Sequence, residues 1–367
     1  MTEKDRPGNS YVNIYIQAAM STILDVARIA HVSTATVSRV INSPEKVRDE
    51  TRRRVYRAMD ICRYKYNALA RDFATKRSHT LGLILPTITN PIFAESTRGV
   101  QDFANNTGYQ VILGNSYYQY EKEAGLANLL RERQVEGLLI TTTDLKGQIL
   151  KDLIDEDFPF VLLYSTVRRG PMWSVGVDNF LGGYRATEHL VRLGHRRIAM
   201  LAGSFHFSDR SYHRWHGYKS SLKEYGIPYD PALLLQTDYT LASGKKGIEK
   251  LISLDNPPTA VFCSNDFIAL GAMEGAREMG LHLPEEMSIV GFDDMEISSF
   301  VVPSLTTIRQ PAYEMGKLGA EALVRRLTQG STRPVHELLE TSLVIRESTT
   351  HARPRTVKRA GADSAAQ

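Results

Sequence analysis

Apolar positions along this chain follow two different periods, and the change falls near residue 80. Over 23–62 they recur three and four residues apart, the spacing of one buried face on short helices. Beyond residue 80, short apolar runs alternate with amphipathic stretches. The runs 81–85, 111–113, 138–140 and 161–163 read as strands, with helices predicted over 92–107, 120–133 and 145–156. The alternation then repeats. Strands are predicted at 198–201, 233–235, 260–263 and 289–290, and helices over 180–193, 211–225, 242–253 and 266–279. Buried strands separated by helices define parallel sheets covered on both faces. Two similar α/β halves with a cleft between them are therefore expected. Ligands of such sheets bind beyond the carboxyl ends of the strands.

The helical segment before residue 80 has a more specific shape. Thr22 is placed to cap a helix, with Asp25 three residues on. Val26, Ala27 and Ala30 form its apolar face. His31, Val32 and Ser33 make a turn, and Ser33 suits the N-cap of a second helix. On that helix Val37, Val40 and Ile41 face inward. Thr34, Ala35, Thr36, Ser38, Arg39 and Asn42 remain as the candidate reading residues. Short side chains at a helix N-terminus let the backbone approach a DNA major groove, and an arginine there can donate two hydrogen bonds to guanine. A third helix is predicted from Asp49 to about Cys62, with Val55, Ala58, Met59 and Cys62 inward. Asp49 is its expected cap. Arg52, Arg53, Arg54 and Arg57 are left for solvent or phosphate.

Charge separates this reading from that of an ordinary three-helix domain. Residues 22–79 hold 13 Lys and Arg against 6 Asp and Glu, whereas the rest of the chain holds 32 against 35. The basic excess sits on the segment expected to meet phosphates.

These residues carry a resemblance to bacterial transcription regulators of the lactose-repressor (LacI/GalR) type. It rests on Asp25-Val26-Ala27, Val32-Ser33, Thr36-Val37-Ser38-Arg39-Val40, Asn42, Glu50-Thr51-Arg52 and Asn67-Ala68-Leu69-Ala70-Arg71, and extends over roughly residues 22–349. The resemblance implies an all-α helix-turn-helix headpiece and a hinge helix, joined to a two-lobed, periplasmic-binding-protein-like core of parallel sheets. It places Thr34-Ala35 at the positions that vary most with operator sequence, and Arg39 at a base-contacting position. It also implies that the hinge, carrying Asn67, Ala70 and Phe73, folds on DNA and wedges an apolar side chain into the central minor groove, kinking the duplex. The family has leucine at the wedge where this chain has Phe73, and a capping serine where it has Arg48.

The expected organisation is a flexible 1–21, a headpiece over 22–66, a hinge and linker over 67–79, and two lobes. The first lobe takes 80–178 plus 309–336 and the second 179–308 plus 337–349, with a disordered tail over 350–367. Met20 opens what looks like an ordinary family start, so translation is expected to begin there rather than at Met1.

Candidates for ligand binding sit where strands end. Phe93 follows the first strand, Arg214 lies on the helix after Gly203, Asn265 follows the 260–263 run, and Asp293 follows 289–290. A bidentate arginine, an amide and a carboxylate around an aromatic ring suit a polyhydroxylated ligand. Phe93 also suits plain core packing, and Asn265 and Asp293 also suit turns; Arg214 has the least structural reason to be there. Phe93, Arg214, Tyr239, Asn265 and Asp293 match the family's effector positions, and Tyr164 and Tyr117 are further candidates. The effector implied is a sugar or sugar acid, with a nucleoside as the alternative.

No nucleotide-binding glycine fingerprint and no GxSxG elbow is present, so an enzyme with a DNA-binding appendage lacks its constellation. His206, His213, His216 and Asp209 lie close in sequence, but their spacing does not make a metal site. No cofactor is expected. Cys62 and Cys263 are too few and too far apart for a disulfide framework. A hydrophobic content of 42% supports a sizeable core over 367 residues, and no apolar run reaches the ~18 residues of a membrane span. No secretory signal opens the chain, so the cytoplasm is expected. A purely sugar-binding protein of the two-lobed kind would show that signal and no headpiece. The tail carries no apolar heptads, so the expected partners are double-stranded operator DNA, a small effector and a second copy in a homodimer.

Overall fold

The structure, a computed structural model, describes residues 22–64, 77–206, 208–330 and 333–353. The expected segments 1–21 and 67–76, with Met20, Asn67, Ala70 and Phe73, lie outside the described residues, as does 354–367. The chain divides into two units, residues 1–77 and 78–367.

The first unit holds α1 (Ile23–Ala30), α2 (Thr34–Asn42) and α3 (Asp49–Ile61). Thr22 and Asp25 cap α1 reciprocally, each side chain meeting the other's backbone N–H, and His31 ends it in a left-handed conformation. Ser33 caps α2 by accepting from the Thr36 N–H. Val26, Val37, Val40 and Val55 are wholly buried at the centre. Asp49 does not cap α3. It is the first helical residue, Arg48 stands at the cap without a side-chain bond, and the Asp49 carboxylate pairs with Arg52 at 2.7 Å. Arg52 is thereby drawn inward, where it also donates to Pro44 O, while Arg53, Arg54 and Arg57 stay exposed.

The second unit contains two six-stranded sheets. The first comprises β1 (Thr80–Leu85), β2 (Gln110–Asn115), β3 (Gly137–Ile140), β4 (Phe160–Tyr164), β5 (Trp173–Val177) and β11 (His336–Leu339), in the order β11-β5-β4-β3-β1-β2. The second comprises β6 (Ile198–Gly203), β7 (Leu234–Thr237), β8 (Ala260–Cys263), β9 (Ser288–Asp293), β10 (Thr306–Arg309) and β12 (Ser342–Val344), in the order β12-β10-β9-β8-β6-β7. All pairings are parallel except β10 with β12, an antiparallel edge. The connecting helices are α4 (Pro91–Asn106), α5 (Tyr120–Glu132), α6 (Gln148–Asp155), α7 (Asn179–Arg192), α8 (Asp209–Glu224), α9 (Leu241–Ile252), α10 (Asp266–Glu278) and α11 (Ala312–Gln329). No described helix is long and apolar enough to cross a membrane.

The chain crosses between lobes three times, after β5, between β10 and α11, and between β11 and β12. The third crossing falls later than expected: His336–Leu339 pairs with β5, so 337–339 belong to the first sheet. At the start of the core, Ser78 donates to Gln134 O and the His79 N–H to Glu136, which ties 78–79 to the first lobe rather than to the linker. At the other end, Thr350 N–H donates to Ser288 and Ala352 N–H to Leu193 O, so the chain stays docked past the expected tail boundary.

Glycines set the helix spacing. A Cβ on Gly183 of α7 would lie 2.2 Å from Arg214 O, and one on Gly217 of α8 would lie 2.1 Å from Phe180 O. The two helices therefore touch backbone to backbone. Gly99 with Gly316 joins α4 to α11 in the same way, and Gly244 with Gly271 joins α9 to α10.

Candidate functional site

On the first unit, Thr34, Ala35, Thr36, Ser38 and Arg39 line the side of α2 away from the valine core; Ala35 and Arg39 are exposed and the other three half-exposed. The cap at Ser33 also engages the Thr36 hydroxyl at 2.9 Å. Asn42 is the last residue of α2. This is a recognition helix: a short helix whose buried face is apolar and whose free face offers small polar groups and one guanidinium.

In the core, six of the seven effector candidates come together. Phe93, Tyr164, Arg214, Tyr239, Asn265 and Asp293 all line one cleft between the lobes, at the carboxyl ends of the strands. Phe93 packs edge-on against Tyr164 with ring centres 5.1 Å apart, and the Tyr164 hydroxyl donates to Ile92 O. Asn265 spends its side-chain oxygen on capping α10 through the Ile268 N–H. Tyr117 does not join them. It is 60% exposed, with Lys122 over its ring, and its neighbour Tyr118 lines the cleft instead.

Arg214 is held from several directions. Its guanidinium lies 3.4 Å from the centre of the Phe292 ring, Nε donates to Asn179 Oδ1 at 2.9 Å, and Nη1 donates to Ser264 O. Asn179 in turn donates to Tyr164 O and Thr166 Oγ1, so the crossing residue links the arginine to the first lobe. The Asp293 carboxylate lies 3.9 Å from Arg214 and accepts from Gln310 Nε2 at 2.6 Å. Burial raises the Asp293 carboxyl above the usual carboxylate range, and the Arg214 charge opposes that rise. Burial also pulls Arg214 down to about 10, which leaves it charged at neutral pH.

Two contacts close the cleft across the lobes. Tyr118 stacks on Tyr239 with centres 4.6 Å apart and planes 8° from parallel, and Arg210 on α8 donates to Thr142 O of the first lobe. The enclosed volume is about 30 Å³, against ~300–1,000 Å³ for typical ligand pockets, so a ligand enters by parting the lobes. Backbone strain gathers here: Tyr117, Tyr118, Tyr164, Asp293 and Asp294 all have positive φ. A larger groove of about 600 Å³, lined by Leu270, Met273, Leu283, Val301, Val302 and Pro303, shares no lining residue with this cleft.

Asn90, which opens α4 after the first strand, lines the cleft as its place at a strand end suggests, whereas sequence reasoning missed Tyr118, Arg210 and Gln310. Arg210 was findable, since it sits four residues before Arg214 on one helical face. Tyr118 was not, because a turn has no period from which to read direction. Among the described residues no His, Cys, Asp and Glu group is placed to hold a metal. His216 packs on Tyr212 and Trp215 in an aromatic cluster.

A recognition helix on a basic headpiece, together with a closed, polar and aromatic cleft between two α/β lobes, defines a DNA-binding regulator controlled by a small molecule. The comparisons with known proteins agree. The profile of bacterial regulatory proteins, lacI family, matches residues 22–67, and that of a periplasmic binding protein-like domain matches 187–349. Catabolite control protein A of Priestia megaterium is 35% identical over 308 residues, covering 84% of this chain and 93% of the relative. The lac repressor dimer bound to operator and the anti-inducer ONPF superposes with a TM-score of 0.82 at 30% identity, covering 90% of this chain and 99% of that one. A complex of the transcriptional regulator CelR with cellobiose gives 0.68 at 31% identity, covering 89% and 99%. The chain belongs to the lacI family of bacterial regulatory proteins, transcription regulators rather than enzymes.

Proposed function

We propose that this regulator binds a near-palindromic operator as a homodimer, acts as a repressor in the cytoplasm, and is controlled by a sugar or sugar acid held in the cleft. The observation that carries the effector reading is the convergence of Arg214, Asp293, Asn265 and an aromatic pair on one strand-end cleft. A guanidinium, a carboxylate and an amide bind hydroxyl groups in complementary directions, and aromatic faces cover the apolar side of a sugar ring. The related lac repressor dimer on operator and CelR with cellobiose support both halves of the reading. The exposed side chains of Ile297, Phe300 and Val302, the last of them lining the 600 Å³ groove, are the surface best suited to a second copy. Asn67, Ala70 and Phe73 belong to the proposed DNA contacts as the minor-groove hinge.

A thermal-shift screen of sugars, sugar acids and nucleosides tests the effector class. A binder at 100-fold excess over its Kd stabilises the protein by about 2.7 kcal/mol. The parallel stack of Tyr118 on Tyr239 favours a second reading, a nucleoside whose base slides between the rings. Stabilisation by nucleosides alone would select it.

On the headpiece, Arg39→Ala is expected to cost roughly 1–3 kcal/mol on the operator and little on random DNA, because an exposed arginine on the recognition helix reads a base edge. Fluorescence anisotropy with both duplexes measures it. Equal losses on the two would assign Arg39 to phosphate alone.

A further inference from the structure

Arg210 is the cleft residue whose bonding is least complete. It is 6% exposed, yet among the described residues its guanidinium makes one hydrogen bond, a long 3.3 Å contact to Thr142 O. Its nearest carboxylate, Asp209, stands 3.6 Å away without a hydrogen bond, and both Asp209 oxygens are buried without a hydrogen-bond partner. Glu123, on the first lobe, also acts on Arg210, but its oxygens already accept from Thr142 Oγ1, Thr143 N and Thr143 Oγ1. Asp293 is shared with Arg214 and Gln310. Arg214, one helical turn on, shows the contrast: two hydrogen bonds, a ring face and a carboxylate hold it.

The lining thus carries two arginines, Arg210 and Arg214, and one aspartate, Asp293. A guanidinium has five N–H donors, and burying it with most of them unspent is costly unless a partner arrives. Asp209 and Glu123 balance the Arg210 charge without taking its hydrogen-bond donors, and a neutral polyol offers those donors only uncharged, single acceptors. A carboxylate or phosphate supplies two charged acceptor oxygens in the fork geometry that arginine prefers.

We infer that Arg210 determines specificity by pairing with an anionic group, carboxylate or phosphate, on a polyhydroxylated effector, seated between α8 and the Thr142–Thr143 end of β3. This rests on the sugar or sugar-acid reading above and narrows it. Arg214 and Asp293 take the hydroxyl-bearing part of the ligand, and Arg210 takes the charged end. Because Thr142 belongs to the first lobe and Arg210 to the second, the anion also replaces the weak cross-lobe contact that now closes the cleft.

The test is calorimetry on the full chain with glucose, galactose and mannose, each beside its uronate and its 6-phosphate, for the wild type, Arg210→Gln and Arg210→Lys. At least one acidic member is expected to bind about tenfold or more tighter than its neutral parent. Arg210→Gln should weaken the acid far more than the neutral parent and so close that gap, and Arg210→Lys should restore part of it. The arm that shows the gap, uronate or phosphate, identifies the anion. Retained binding of the neutral parent shows that the variant is folded. If Arg210→Gln weakens acid and parent alike, Arg210 is only a latch between the lobes, and if it changes neither, Arg210 touches no ligand; either result overturns the inference and leaves the sugar reading standing. If neutral and acidic members all fail to bind the wild type, the sugar reading falls and this inference falls with it.

Discussion

Replacing Gly217 with valine is expected to lower the stability of the core by about 3 kcal/mol or more and to abolish its response to effector. The reason is steric. A single Cβ at this position already lies 2.1 Å from Phe180 O and 2.6 Å from Tyr184 N, both backbone atoms of α7 that cannot rotate away. Overpacking a core usually costs ~1–3 kcal/mol when side chains can yield. Here a whole helix must shift. Valine's better helix propensity, worth only a few tenths of a kcal/mol over glycine, cannot offset that. The functional loss follows from the same geometry, because α8 carries both Arg210 and Arg214 into the cleft. Gly125→Ala is the control: nothing lies within 4 Å of its added Cβ, and the change should stabilise α5 by roughly 0.5–1 kcal/mol. Denaturant unfolding of the three proteins measures both effects. A Gly217→Val protein that unfolds at the wild-type midpoint would show that α7 and α8 are not in backbone contact.

Arg214→Ala is expected to weaken effector binding by roughly 10- to 150-fold, about 1.5–3 kcal/mol, while operator binding without effector stays within about twofold. The substitution removes the group that bonds Asn179 and Ser264, covers the Phe292 ring and faces Asp293. It also leaves Asp293 buried without its cation. Burial already raises that carboxyl, so the folded protein holds the Asp293 proton more tightly than the unfolded chain does. Its contribution to stability is therefore full below the ordinary carboxylate range and is lost as pH rises through the raised value. Without Arg214 the rise loses its largest opposing influence, with only the Gln310 hydrogen bond and Arg210 left to oppose it, and thermal stability should fall more steeply toward alkaline pH than in the wild type. Calorimetric titration and melting curves at several pH values test the two parts. Unchanged effector affinity would remove Arg214 from the site.

The headpiece was legible because its signals are local. The Thr22–Asp25 box, the Ser33 cap and the three-four spacing of the valines each involve neighbours in sequence, and all form as read. Asp49 misled because a carboxylate beside a helix start can either cap it or pair with an arginine one turn on, and Arg52 took it. In the core, the strands and helices of the two alternating halves were readable from period alone. The short strands β5, β10, β11 and β12 and the long helix α11 were not among them, since their partners are set by tertiary contacts. β11 is half-exposed and lacks the apolar run that marks a buried strand. The cleft was legible at residues that end strands or start helices, such as Asn265 and Asp293. It was illegible at Tyr118, whose direction depends on consecutive left-handed residues at 117 and 118, and at Gln310, whose place beside Asp293 is set by a bond across 17 residues.

The central claim is that one chain couples an operator to a ligand in the cleft, and such coupling is reciprocal. The most direct measurement is therefore the effector Kd of the full chain, by calorimetry, with and without saturating operator duplex, beside the operator Kd with and without saturating effector. The account predicts that each ligand changes the affinity of the other, by the same factor and with the same sign, typically 5- to 150-fold. An effector that binds in the cleft with a Kd indifferent to operator, while the operator Kd is indifferent to effector, would contradict it.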